Sequence, residues 1–428
     1  MKNFIEELKW RGLLHDIIPG TEDLFLSGSQ TAYVGFDPTA DSLHIGSLIP
    51  IIIMVHLQKF GHKPIALVGG ATGMVGDPTG KSDERKLLDT NILNKNVEGI
   101  RNQLSRLIDF DTSKPNAALL LNNYDWFKNI SFIDFIRDTG KHITVNYMMA
   151  KDSVKKRLES ENGMSFTEFC YQLMQGYDFF RLYHDQNCKA QFGGSDQWGN
   201  IVTGVELIRR KSSQEAFAFT SPLLKKSDGT KFGKSEGGNI WLDAEKTSPY
   251  SFYQFWLNTA DDDAENFLRI FTFLSKEKIQ ELSRQHKGNE HKRILQTKLA
   301  EEVTRFVHGQ EGLDFARKAS QILFSNDTAG MLKSLSEKQL LQAMDGVPKA
   351  NLTREEILGK DIISVLNTCK IFSSKGEAKK MVQNGGVFIN KEKVTDADRT
   401  FMDADFLNNK YILVQKGKKN YYLIISEN

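Results

Sequence analysis

Two glycine-punctuated loops carry residue types suited to phosphate chemistry. In "FDPTADSLHIGS", residues 36–47, His44 and Gly46 stand immediately before the apolar run "LIPIIIMVHL". Pro50 fits the first turn of a helix, so the spacing predicts a helix that begins near Ser47 with His44 and Gly46 at its N-terminal mouth. Free backbone N–H groups and the positive end of the helix dipole meet there and suit an anion. His44 adds a side-chain donor, and Gly46 leaves room for a sugar or a base. In "SDGTKFGKSEGG", residues 227–238, Lys231 and Lys234 lie three apart among Gly229, Gly233, Gly237 and Gly238, with Ser235 next. A basic loop on glycine hinges can close over a polyphosphate and neutralise charge as it develops. Taken alone, each loop also reads as an ordinary turn or a solvated surface.

Three further segments offer polar groups. "GGATGMVGDPTGKS", residues 69–82, is not a P-loop, because Val75 stands where that motif needs glycine. What remains is a glycine loop carrying Asp77, Lys81 and Arg85, equally open to a reading as a mobile connection. In "SFTEFCYQLMQGYDFFRLY", Tyr171, Gln175 and Asp178 fall at i, i+4 and i+7 on one helical face. A phenol, an amide and a carboxylate together suit a small polar ligand, although an amphipathic boundary has the same spacing. "QFGGSDQWGN", residues 191–200, offers Gln191, Asp196 and Gln197 after a short strand. An Asp there meets ribose hydroxyls in nucleotide sites or simply caps a helix.

The elements that must position these groups alternate. "TAYVGF", "PIALVGG" and "AALLLNN" are short apolar runs closed by Gly, Pro or Asn, as expected of strands buried on both faces. Helix-length pieces at 48–60 and 92–108 separate them. The alternation predicts an α/β fold with a doubly wound, Rossmann-like parallel sheet and ligands beyond the carboxyl ends of its strands. After about residue 246 the pattern becomes helical: Ser248 and Pro249 mark a helix start, and Leu295, Leu299, Val303, Phe306 and Val307 mark a buried face. A linker is expected near 345–353, then a compact mixed segment with hairpin turns at Asn390-Lys391 and Gly417-Lys418.

Composition bounds the class. With 428 residues, 40% hydrophobic and 26% charged, the chain is a globular protein of two to four domains. Cys170, Cys188 and Cys369 are far apart, which suits a reducing cytoplasm and argues against a zinc site or a disulfide framework. Charges at 6, 7, 9 and 11 interrupt the N-terminus, so it does not read as a signal peptide. No apolar run approaches the ~20 residues that span a bilayer. Residues 361–428 hold 11 Lys+Arg and 8 Asp+Glu against 45 and 46 elsewhere, so the basic excess is in the tail. Lys375, Lys379, Lys380, Lys391, Lys393, Lys416, Lys418 and Lys419 are distributed so that they could follow an RNA backbone.

Together and in order, these segments resemble class I aminoacyl-tRNA synthetases, and among them the bacterial-type tyrosyl-tRNA synthetases. "HIGS" stands in the place of the HIGH signature and "KFGKS" in that of KMSKS. "YVGFDPTADSLHIG", "ALVGGATGMVGDPTGKS", "NNYDW", "KHITVNYMMAKDSV", "GGSDQWGN" and "TKFGKSEGGNIWLD" are similar to family motifs, and the likeness covers essentially the whole chain. It implies a nucleotide-binding catalytic domain over 1–245 with a dimerisation insert around 125–160. An α-helical anticodon-binding domain over 246–349 and a small α+β RNA-binding domain of the ribosomal-protein S-four type over 350–428 would follow.

The resemblance also implies roles. Tyr33 and Asp178 match the positions at the phenol of bound tyrosine, and Asp77, Tyr171 and Gln175 those at its α-amino group. Asp37 and Gln197 match positions around the amino acid and the adenylate, Gly194 and Asp196 ribose contacts. Thr39, His44, Lys81, Arg85, Lys231, Lys234 and Ser235 match positions that bind the triphosphate, with Gly46 and Ser47 also at ATP. Two departures stand out: Gly35 replaces a ribose-contacting cysteine of many relatives, and Ser47 replaces the second His of HIGH. The implied reaction uses L-tyrosine, tRNA(Tyr) and ATP with Mg2+, no tightly bound cofactor, no protein-held metal and no membrane, in a cytoplasmic homodimer. Positioning and charge stabilisation suffice for it, since ATP is already activated. The alternatives are a tryptophanyl-tRNA synthetase, a small nucleotidyltransferase, or a non-catalytic RNA-binding protein on a synthetase core. The Tyr33/Asp178 pair argues against the first, the further domains against the second, and Lys231 with Lys234 against the third.

Overall fold

A computed structural model describes residues 3–77, 88–159, 163–230, 232–235, 238–324, 329–417 and 420–427, without the side chains of Ser153, Lys156, Lys234, Ser235 and Phe324. The chain divides into two compact units, Met1–Lys246 with Leu257–Val303, and Thr247–Trp256 with Thr304–Asn428.

The first unit is built on five parallel strands: β1 (Thr31–Phe36), β2 (Lys63–Val68), β3 (Leu119–Asn122), β4 (Cys188–Gly194) and β5 (Phe217–Ser221), in the order β3-β2-β1-β4-β5. Ile65, Ala66, Leu67 and Val68 of β2 are buried, as expected of a strand covered on both faces. β3 departs from that expectation and is only half-buried, because it is an edge strand. From β1 the chain winds first toward β2 and later toward β4 on the other flank, and such a reversal opens a crevice at the strand ends. Helices Leu48–Lys59 and Thr90–Leu107 lie where the sequence predicts them.

The unit also takes in residues 257–303, so this division falls inside the helical stretch and not at its ends. Helix Asp261–Phe271 packs on helices Phe4–Arg11 and Leu48–Lys59. Arg11 donates to the carbonyls of Arg269, Thr272 and Leu274 at 2.8, 2.7 and 2.9 Å, closing the open carbonyl end of that helix. Asp263 accepts from the backbone N–H and hydroxyl of Ser227 at 2.9 and 3.1 Å, pinning the start of the lysine loop.

In the second unit Ser248 caps helix Pro249–Leu257 by accepting from the N–H of Ser251 at 3.1 Å. The helical run Ile294–Phe324 breaks at Gly309, whose φ of 73° few other residues adopt. A mixed sheet orders strands Glu392–Val394, Val387–Ile389, Tyr411–Lys416, Asn420–Glu427 and Lys349–Thr353. The hairpin turn falls at Asn390 and Lys391, with φ of 50° and 69°, the left-handed pair a tight two-residue turn requires. Alternate residues face opposite ways: Ile412 and Ile424 join a core with Ile362, Leu366 and Val382, whereas Leu413 and Leu423 pack on Ala319, Ile322 and Leu340.

Two tail lysines correct the sequence reading. Lys391 donates to the Leu323 carbonyl, Gln415 and Tyr421 at 2.8, 3.2 and 3.0 Å, and Lys416 to the Ile371 carbonyl and Glu377 at 3.1 and 2.9 Å. Each ammonium completes the hydrogen bonding of its own fold. Lys375, Lys379, Lys380 and Lys393 are exposed, and Lys418 and Lys419 lie outside the described residues.

Candidate active site

A cavity of about 220 Å³ opens at the carboxyl ends of β1 and β4 and is lined by Tyr33, Asp37, Thr72, Asp77, Asn123, Tyr171, Gln175, Asp178, Gln191, Gly194 and Gln197, among others. It gathers all seven residues the resemblance assigns to tyrosine, which lie as much as 164 positions apart in the chain, from Tyr33 to Gln197. Tyr171, Gln175 and Asp178 come from helix Phe166–Gln186, which begins with a reciprocal Ser165/Glu168 capping box. That helix closes onto helix Trp198–Ser212 where glycines meet: a Cβ on Gly176 would lie 3.4 Å from the backbone N of Gly204. The shared face of the three polar residues is therefore a pocket wall and not only an amphipathic boundary.

One end of the cavity is organised around Asp178. Its two carboxylate oxygens accept from the Asn123 amide at 3.0 Å and the Trp126 indole at 2.9 Å. Both N–H donors of the Asn123 amide are used, since it also donates to Thr72 at 3.0 Å, and its oxygen accepts from the Ala71 N–H at 2.7 Å. Burial pushes Asp178 up to about 8, against the pull of the Asn123 and Trp126 donors. Among the described residues, the buried Tyr33 hydroxyl and Gln191 side-chain oxygen have no partner, and the two residues are paired across β1 and β4. A buried polar atom left unsatisfied costs roughly 1–3 kcal/mol, so a ligand that reaches the Tyr33 hydroxyl recovers it. Burial, followed by the neighbouring Asp178, holds the Tyr33 phenol well above its ordinary pKa, so it stays a hydroxyl.

The other end is anionic. Tyr171 donates to one oxygen of Asp37 at 2.8 Å and Thr72 to the other at 3.0 Å. Gln197 donates to Asp77 at 2.7 Å and accepts from Asn200 at 3.3 Å. Gly69 is required there, because a Cβ would lie 2.3 Å from both Asp37 and Thr72. Among the described lining residues Asp37, Asp77 and Asp178 are carboxylates and none is Lys or Arg. A ligand carrying an ammonium would balance this wall.

Thr39, His44, Gly46, Ser47 and Asp196 are not among the lining residues. Thr39, His44 and Asp196 are exposed, while Gly46 and Ser47 are half-exposed in the short turn Ile45–Ser47 that leads into helix Leu48–Lys59. The capping role falls to His44: its Nδ1 accepts from the Gly46 N–H at 3.0 Å, whereas Ser47 makes no capping bond with its side chain. In the neutral ring this leaves the proton on Nε2, which makes that nitrogen the donor. A side chain at Gly46 would displace the ring, because a Cβ would approach His44 Cε1 to 2.8 Å. Helix Thr90–Leu107 holds the loop from behind. Asn96 donates to the Pro38 carbonyl at 3.0 Å, Gln103 accepts from the Leu43 N–H at 2.8 Å, and a Cβ on Gly99 would strike the Asp41 carbonyl at 2.1 Å.

Lys81, Arg85 and Lys231 lie outside the described residues, and of Lys234 and Ser235 only the backbone is described, paired with Asn239 and Gly238. Sequence reasoning missed Thr72, Asn123 and Trp126 as site residues, although "NNYDW" directly after β3 was a signal for the last two.

The model of the family "tRNA synthetases class I (W and Y)" matches residues 27–325, and that of the "Tyrosine--tRNA ligase SYY-like C-terminal domain" matches 339–424. The chain is 59% identical over 429 residues to a tyrosine--tRNA ligase of Flavobacterium psychrophilum and 57% identical over 428 residues to that of Cytophaga hutchinsonii, each alignment covering 99% of both chains. Among solved structures, a C-terminally truncated mitochondrial tyrosyl-tRNA synthetase of Aspergillus nidulans superposes with a TM-score of 0.68 at 32% identity, over 76% of this chain and 95% of that one.

Proposed function

The chain belongs to the class I tRNA synthetases (W and Y), and from that premise we propose that it attaches L-tyrosine to tRNA(Tyr) using ATP. A carboxylate oxygen of tyrosine attacks the α-phosphorus of ATP, the bond to the bridging oxygen breaks, and pyrophosphate leaves with the electron pair. A terminal ribose hydroxyl of the tRNA then attacks the tyrosyl carbonyl and AMP departs. Magnesium enters as part of the ATP complex.

The observation that carries this reading is the buried Asp178 carboxylate, held by Asn123 and Trp126, in one cavity with the Tyr33 hydroxyl, which has no partner among the described residues. A phenol O–H donates to the first and accepts from the second. Asp77, Tyr171 and Gln175 take the α-amino group, in keeping with the anionic wall. Asp37 and Gln197 flank the tyrosyl carboxylate and the adenylate, and Gly194 with Asp196 takes the ribose. At the mouth, Thr39, the Nε2–H of His44, and the N–H groups near Gly46 and Ser47 meet the phosphates. Lys81, Arg85, Lys231, Lys234 and Ser235 join them as pyrophosphate departs.

Residues 1–245 would then catalyse, 246–349 read the anticodon arm and 350–428 bind RNA. Phe132 and Ile133 within the insert and Phe166 just after it expose 65%, 69% and 68% of their surface, apolar area that a second copy of the chain would cover. Light scattering should give twice the chain mass of 48.6 kDa. The three free cysteines suit a reducing cytoplasm. The test of function is exchange of labelled pyrophosphate into ATP with each amino acid in turn. Exchange with tyrosine alone is expected, and equal exchange with tryptophan would refute the assignment.

A further inference from the structure

We propose that Trp241 is a positioning residue for His44, fixing the imidazole at the phosphate mouth; this rests on reading His44 as a phosphate donor. Trp241 lies opposite His44 in an antiparallel bridge. The flanking backbone bonds run from the Ile45 N–H to the Ile240 carbonyl and from the Leu242 N–H to the Leu43 carbonyl, both at 2.9 Å. This pattern makes His44 and Trp241 a pair not joined by their own backbone groups, the arrangement that brings opposed side chains closest. The two rings meet edge to face with centroids 6.4 Å apart and planes at 67°, within the range favoured by aromatic pairs.

Trp241 is itself braced. The Lys246 ammonium lies 5.1 Å from the centre of its ring and also pairs with Asp41, three residues before His44. Lys95, from the helix behind the loop, approaches the other oxygen of Asp41 to 3.6 Å. The indole therefore sits in a closed circuit of His44, Asp41 and Lys246. It is only half-buried, so its removal opens no core cavity. Gly46 sets which imidazole nitrogen carries the proton, and Trp241 limits where the ring can swing. Catalysis by positioning is sensitive to such freedom, and a displacement of about 1 Å can cost ~10²-fold in rate.

The experiment measures single-turnover adenylate formation and equilibrium tyrosine binding in the full-length protein for Trp241→Ala, Trp241→Phe, His44→Ala and the double variant. Trp241→Ala should slow adenylate formation by roughly 10- to 100-fold with tyrosine binding unchanged, and Trp241→Phe should restore most of the rate. In the His44→Ala background, Trp241→Ala should add little, as expected when one residue acts through the other. An undisturbed rate, an equal further loss without His44, or a parallel fall in tyrosine binding would each overturn the proposal. Circular dichroism checks folding. Should Trp241→Ala unfold, Lys246→Met decides, with a smaller His44-dependent loss expected and no loss contradicting the proposal. Absence of tyrosine-dependent exchange in the wild type would instead remove the functional reading, and this proposal with it.

Discussion

The cavity at the ends of β1 and β4 and the loop at 37–47, which exposes Thr39 and His44, are adjacent in function but built on different principles. In the cavity, side chains hold side chains: Asn123 and Trp126 on Asp178, Tyr171 and Thr72 on Asp37, Gln197 on Asp77. At the mouth the loop is held by its backbone, through the 2.9 Å bonds to Ile240 and Leu242, through Asn96 and Gln103 on the Pro38 carbonyl and the Leu43 N–H, and through glycines that admit a close approach. A buried, hydrogen-bonded network discriminates between ligands, because a ligand lacking one group leaves buried atoms unpaired. Exposed groups such as Thr39 and His44 contribute little ground-state binding and act on charge that develops during reaction. Selection should therefore fail when the cavity is altered, and rate when the mouth is altered.

The largest expected effect is at Asp178. Asp178→Ala should abolish most of the preference for tyrosine over phenylalanine, which reaches ~10⁵ in tyrosyl-tRNA synthetases, from which that figure is taken. Pyrophosphate exchange with both amino acids reads it, and a variant that keeps full preference would make Asp178 a plain helix-face residue.

Gly46→Ala tests the other half. The added methyl would collide with the His44 ring, so adenylate formation should slow by as much as ~10²-fold while tyrosine binding stays within twofold or so. Rapid-quench measurement of the adenylate beside equilibrium dialysis separates the two, and unchanged chemistry would break the comparison at the mouth.

A third test uses pH. Burial holds Asp178 up to about 8 in the free protein, and a phenol O–H donates to its ionised form. Binding below that pH must release a proton, so tyrosine affinity should fall by up to about tenfold per pH unit between 8 and 6. The ligand ammonium remains charged over this range. Calorimetry in buffers of different ionisation enthalpy should detect the released proton with wild type and lose it in Asp178→Asn. A flat profile would mean that the carboxylate is already ionised at pH 6.

Part of this was legible in the sequence. Strands β1 to β3 and helices 48–59 and 90–107 follow from short apolar runs and glycine or proline punctuation. Tyr171, Gln175 and Asp178 were grouped by helical spacing alone. Asn123 and Trp126 were not, since they reach Asp178 from 55 and 52 residues away and no local pattern encodes that meeting. The grip of Asn96, Gly99 and Gln103 on the mouth is hidden for the same reason. Lys391 and Lys416 misled the reading of the tail, because composition counts charge and does not tell an outward ammonium from one bonded to its own fold.

That correction yields the smallest predicted effect. Lys379→Ala or Lys380→Ala should lower tRNA affinity by a few-fold and reduce the slope of log affinity against log salt by about one. Lys391→Ala, which strips partners from Gln415 and Tyr421, should lower the thermal midpoint instead. Equal salt slopes in all three variants would contradict the division of the tail into outward and inward lysines.

The most direct test of the account measures equilibrium tyrosine binding and single-turnover adenylate formation side by side in Asp178→Ala and Gly46→Ala. The account predicts a crossed pattern, with Asp178→Ala losing tyrosine affinity and selectivity and Gly46→Ala losing rate at unchanged affinity. Parallel losses of affinity and rate in both variants would contradict it.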